Sequence, residues 1–171
     1  GVIGLVVWLA WPEGLEARYA RCQKAMKVAN FEKITDFGEV PEYSDWLTVK
    51  DDIDAILQNY PETPQATDAR RWKDLIDMVR EDRQSQNNIK FDRDPKTEAE
   101  KLYVKARSYE KFGDSYTAIE QYKSMQTLLK SDEESRPYLN LARHRAELIK
   151  QGIDPKASRV TFIESLSLIH I

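Results

Sequence analysis

Several short stretches of this chain carry residue types that could do chemistry. Asp36-Phe37-Gly38 stands behind Lys33-Ile34-Thr35. In phosphoryl-transfer enzymes an aspartate so placed holds magnesium, together with a His-Arg-Asp loop upstream, a Gly-rich loop over the phosphates and a lysine on a strand. No His-Arg-Asp, Gly-rich loop or Val-Ala-Ile-Lys strand occurs in these 171 residues, and Val40-Pro41-Glu42 follows too closely to close an activation loop. The triplet reads as a turn that ends a helix at Gly38, so the chain itself holds no phosphotransfer site.

The other candidates also have bland explanations. Asp92 and Asp94 in "FDRDPKTEAEK" begin like a calcium loop, but Thr97 stands where a glycine is required and Tyr103 where a bidentate glutamate is required. Asp94 reads instead as the cap of the next helix. Asp51, Asp52 and Asp54, beside Lys50, could supply paired carboxylates for acid–base work. Their position near a helix start, where the dipole favours acids, reads as a solvated charge run. His144 and His170 are the two histidines, and His144 lies between Arg143 and Arg145 off the apolar stripe. That placement predicts a solvated face. Cys22 lies on a packing stripe and reads as a small buried hydrophobe. No catalytic, cofactor-binding or metal-binding residue is assigned, and no cofactor is expected.

Composition narrows the class. Charged residues make up 32% of the chain and hydrophobic ones 41%, a mixture typical of helical proteins. The 26 basic and 29 acidic residues are scattered without a basic stripe, which argues against a nucleic-acid partner. A single cysteine rules out an internal disulfide. The opening run "GVIGLVVWLAW" carries no charge and includes Trp8 and Trp11. It is too short to span a bilayer, which takes about 20 apolar residues. It fits the end of a membrane-spanning helix, with tryptophans at the headgroup level; a buried helix or strand would also accommodate it. Ser165–Ile171, "SLSLIHI", has no partner pattern and carries no functional weight.

Apolar residues then recur at helical spacing. Leu15, Tyr19, Cys22, Met26 and Ala29 form one stripe, after Pro12. Trp46, Val49, Ile53, Ile56 and Tyr60 form a second, capped by Ser44 or Asp45 and ended by Pro61. Thr63-Pro64 reads as the start of a third, with Trp72, Leu75, Ile76 and Val79 inward. Residues 81–95 are polar and aperiodic and read as a linker. A fourth helix opens at Asp94-Pro95 with Leu102, Tyr103, Ala106 and Tyr109 inward; Gly113-Asp114 breaks it. A fifth carries Ala118, Ile119, Tyr122, Met125 and Leu129. A sixth, capped by Ser135, carries Tyr138, Leu141, Ala142, Leu148 and Ile149 and ends at Gly152 and Pro155. The expectation is an all-α fold of stacked antiparallel helix hairpins, preceded by the end of a transmembrane helix. Its parts are 1–11 as partial span, 12–80 as a helical hairpin region, 81–95 as linker, 96–152 as a hairpin plus packing helix, and 153–171 as tail.

Within "AEKLYVKARSYEKFGDSYTAIEQYKSMQTLL" the order Ala106, Tyr109, Gly113, Ala118, Tyr122 is the small–aromatic–turn–small–aromatic order of a tetratricopeptide repeat. One such hairpin must stack on neighbours to bury its face. Lys105 and Met125 depart from the repeat, and no proline stands near Lys130. Together with the apolar run, "YSDW", "QNYPETP" and "RPYLNLAR", this hairpin resembles the C-terminal region of bacterial membrane-anchored serine/threonine protein kinases. The resemblance implies a non-catalytic, tetratricopeptide-like interaction or sensory region, held to the membrane through its N-terminal segment and placed outside the cytoplasm. It carries over no catalytic residue. Arg18, Arg21, Lys24 and Lys27, with no acid among residues 18–27, pull toward the cytoplasmic side instead. The implied partner is a protein or peptide, with self-association as one form. A membrane-tethered tetratricopeptide scaffold or envelope assembly factor without a kinase is the alternative.

Overall fold

The computed structural model describes residues 13–29, 44–130 and 132–152. These residues form six α-helices: α1 Leu15–Ala29, α2 Ser44–Asn59, α3 Pro64–Lys90, α4 Glu98–Lys111, α5 Ser115–Leu128 and α6 Arg136–Lys150. The fold is all-α, with consecutive helices packed as antiparallel neighbours. The expectations for residues 1–11, for the turn at Gly38, for Pro155 and for the tail lie outside the described residues, as do the side chains of Ala29, Ser44 and Asp45. Among the described residues no helix is long and apolar enough to cross a membrane.

The chain divides into two compact units, and the boundary falls inside α3, between Ile76 and Asp77. In the first unit α1 packs against α2. The expected stripes supply its core: Cys22 and Met26 from α1, Trp46, Val49, Ile53 and Ile56 from α2, joined by Ala66, Ala69 and Ile76 of α3. The Tyr19 ring stacks on Trp72 with centroids 5.4 Å apart. Its hydroxyl donates to Asp68 at 2.6 Å. The start of α3 forms as expected, because the Ala66 amide donates to Thr63 Oγ1 at 3.2 Å and Pro64 has no N–H to leave unpaired.

The end of α3 does not. The spacing predicts a linker from residue 81, yet the helix runs on to Lys90. Its inward positions there are Asp82, Ser85 and Asn88, all buried. They keep helical spacing, but they are polar, so the apolar periodicity vanishes while the helix continues. The next boundary also moves. Thr97, not Asp94, caps α4, its hydroxyl accepting from the Glu100 amide at 3.1 Å. Glu100 reaches back to the Lys96 amide at 2.8 Å, so Thr97-x-x-Glu100 behaves as a capping box displaced by one residue.

In the second unit α4 packs on α5, and α6 packs on both. The turn between α4 and α5 is a Schellman motif: the Gly113 amide donates to Glu110 O and the Asp114 amide to Tyr109 O, each at 3.0 Å. Gly113 has φ 86°, a conformation glycine adopts without steric cost. Asp114 then caps α5, accepting from the Thr117 amide at 2.9 Å. Ser135 does hold the cap position of α6, and Pro137 lies in the first turn, but the Ser135 side chain makes no capping bond. Asp132 fastens this corner instead, accepting from the Ser135 amide at 2.8 Å.

Candidate functional site

The hairpin residues singled out in the sequence lie on α4, in the turn that follows it and on α5. Ala106 and Ala118 are completely buried, Tyr122 is buried, and Gly113 occupies the turn. Tyr109, expected inward, is half-buried. These residues frame a feature that the apolar pattern does not announce: a buried polar network through the second unit.

At its centre is Glu110, only 3% exposed. Its carboxylate accepts the Tyr122 hydroxyl at 2.6 Å and pairs with Arg107 at 2.8 Å. Arg145 of α6 donates to it from both Nε and Nη2. Two guanidinium groups and a phenol thus converge on one acid. Nearby, Tyr103 donates to Asp82 at 2.5 Å, and the Gln86 amide donates to the same carboxylate at 2.8 Å. Asn88 donates to Glu100 at 2.8 Å. The rings of Tyr103, Tyr122 and Tyr138 pack together, with Tyr103 lying 6.1 Å from Tyr122 and 5.8 Å from Tyr138. Tyr138 donates to Glu81 at 3.1 Å.

Burial pushes the Tyr103 and Tyr122 phenols up, with the Asp82 and Glu110 charges adding to the effect, so both stay neutral donors. The acids are held by donors from four helices. The network therefore sets how the end of α3, α4, α5 and α6 register on one another. His144, expected on a solvated face, is half-buried at its edge, and burial and the Arg145 charge lower its pKa. Arg145 itself points inward. The α4 members of the network share a signal in the sequence: Glu100, Tyr103, Arg107 and Glu110 are spaced 3, 4 and 3, a helical stripe written in polar letters.

The first unit holds a smaller counterpart. Asp52, expected in a solvated charge run near a helix start, is instead buried near the middle of α2. It accepts from Arg18 at 2.8 Å and from Arg21 at 2.7 and 2.8 Å. Asp51 and Asp54 remain exposed. The Arg21 hydrogen bonds, with the charges of both arginines, hold the Asp52 carboxyl below its usual range. A depressed folded-state pKa contributes stability that is fully present above the unfolded value of about 4 and is lost as pH falls through the folded value. Acid titration of the first unit, followed by tryptophan fluorescence, is expected to show this loss below about pH 4, and Asp52→Asn is expected to remove that component.

Cys22 is buried near these three charged residues, with Sγ 3.9 Å from Val49 O. Burial pushes its thiol up to about 11. The native protein is therefore expected to resist alkylation at pH 8, and denaturant should expose the thiol to rapid reaction. Fast labelling of the native chain would contradict the packing of Cys22 between α1 and α2. Among the described residues, no group of three or more His, Cys, Asp or Glu side chains could hold a metal ion. No family model, curated protein or solved structure matches the chain.

Proposed function

We propose that this chain is a non-catalytic protein–protein interaction or sensory region of a membrane-anchored serine/threonine protein kinase, built from tetratricopeptide-like hairpins. The observation that carries the interaction reading is a contrast between inside and outside of the second unit. Inside, the buried acids and phenols are committed to one another. Outside, the α4–α5 hairpin presents Phe112 at 86%, Tyr116 at 79% and Leu128 at 68% exposure. That three of the five described exposed large hydrophobic residues fall on this one hairpin supports a surface that meets another molecule. The repeat order Ala106, Tyr109, Gly113, Ala118, Tyr122 supports the hairpin class. The kinase context and the extracytoplasmic, membrane-anchored placement rest on the sequence resemblance.

The test is deletion of residues 99–150 from the parent protein. Partner capture should be abolished, and phosphotransfer to a generic substrate should be unchanged. Loss of phosphotransfer on that substrate would overturn the reading.

A further inference from the structure

The outer face of α5 is self-complementary. Its exposed residues include Tyr116, Glu120, Lys123 and Thr127, spaced 4, 3 and 4, so they form a single stripe along the helix. That spacing reads the same in both directions. When a second α5 lies antiparallel across a two-fold axis, Tyr116 therefore faces Thr127 of the second copy, and Glu120 faces its Lys123. Opposite charges meet at the centre of the pair, twice over. At each end the Tyr116 ring reaches the level of Leu128, which follows Thr127.

We infer that this stripe is a homotypic docking surface and that its occupant is the α5 stripe of a second copy of this chain. The inference rests on the interaction-region reading and names the partner. Three of the five exposed large hydrophobic residues described, Phe112, Tyr116 and Leu128, lie on α5 or its leading turn. An isologous contact requires a patch that is complementary to itself, and opposite charges placed symmetrically about its midpoint meet that requirement. Within one chain Lys123 pairs with Glu120 at 2.8 Å, with both side chains about half exposed. An exposed pair of this kind is worth little and re-pairs across the axis at small cost. One helix face buries less than the roughly 800 Å² per partner of a stable dimer, so the association is weak and reversible.

Sedimentation equilibrium of the full chain over a concentration series tests this, with circular dichroism confirming that each variant is folded. The wild-type chain should show reversible monomer–dimer behaviour. Lys123→Glu places like charges at both central contacts and should weaken association about tenfold or more. Tyr116→Ala should weaken it as well. The double variant E120K/K123E restores opposite charges across the axis and should recover the wild-type constant. A chain that stays monomeric to about 1 mM, where a dimer would be worth only about 4 kcal/mol, overturns the inference. So does association that K123E leaves unchanged, or a double variant that fails to recover. None of these outcomes touches the interaction-region reading, which fails on loss of phosphotransfer after the 99–150 deletion.

Discussion

Glu110→Ala is expected to destabilise the second unit by about 3–5 kcal/mol, the range for removing one member of a buried ion pair. The reason lies in what the substitution leaves behind. Arg107 and Arg145 are both buried, and Tyr122 loses the acceptor of its hydroxyl. A small domain is stable by only about 5–15 kcal/mol, so a loss of this size approaches unfolding. Because the chain has two units, one denaturation midpoint is not a sufficient readout. Amide hydrogen exchange resolves the effect by helix: protection should fall in α4, α5 and α6 and hold in α1 and α2. Replacing all three charged residues with apolar ones of similar size should recover much of the loss, since the desolvated cations are removed together with their acid. Equal loss of protection in both units would contradict a network confined to the second unit.

The second large effect is expected at Tyr103, which joins α4 to three neighbours. It is 1% exposed, its ring packs on Tyr122 and Tyr138, and its hydroxyl reaches Asp82 of α3. Tyr103→Ala removes a large buried ring and should cost about 3–5 kcal/mol, as for other aromatic truncations in cores. Tyr103→Phe keeps the ring and deletes only the donor to Asp82, so its cost should be about 1–3 kcal/mol. The ordering is the test. Urea unfolding followed by exchange in the second unit should place Phe between wild type and Ala. If Phe equals wild type, the hydroxyl contributes nothing to the register of α3 on α4. If Phe equals Ala, the ring packing contributes nothing.

How much of the fold and of the buried network was legible in the sequence depends on the letters in which each helix face was written. Trp46, Val49, Ile53 and Ile56 announce α2 because apolar side chains at spacings of 3 and 4 mark a buried face, and all four are buried. Gly113-Asp114 announced its turn because glycine tolerates the positive φ and aspartate caps the next helix. The second half of α3 was unreadable by the same rule. Asp82, Ser85 and Asn88 face inward, but the partners of Asp82 and Asn88 lie on α4, at Tyr103 and Glu100. A pattern that scores hydrophobicity along one helix cannot see a polar residue whose burial is made tolerable by another helix. Asp52 was missed for this reason too, because the arginines that neutralise it sit on α1. The capping box at Thr97 was different: its letters were present, and Asp94-Pro95 was the more conspicuous signal.

The exposed α4–α5 surface comes from the structure, while the kinase context is a proposal that rests on the sequence resemblance. The most direct measurement is the nucleotide sequence upstream of the codon for Gly1. The expected result is a His-Arg-Asp loop, a separate Asp-Phe-Gly and the first half of an apolar span, in that order, read in frame into Gly1. A start codon followed only by a few basic residues and that apolar half would contradict the kinase context and leave a membrane-tethered scaffold.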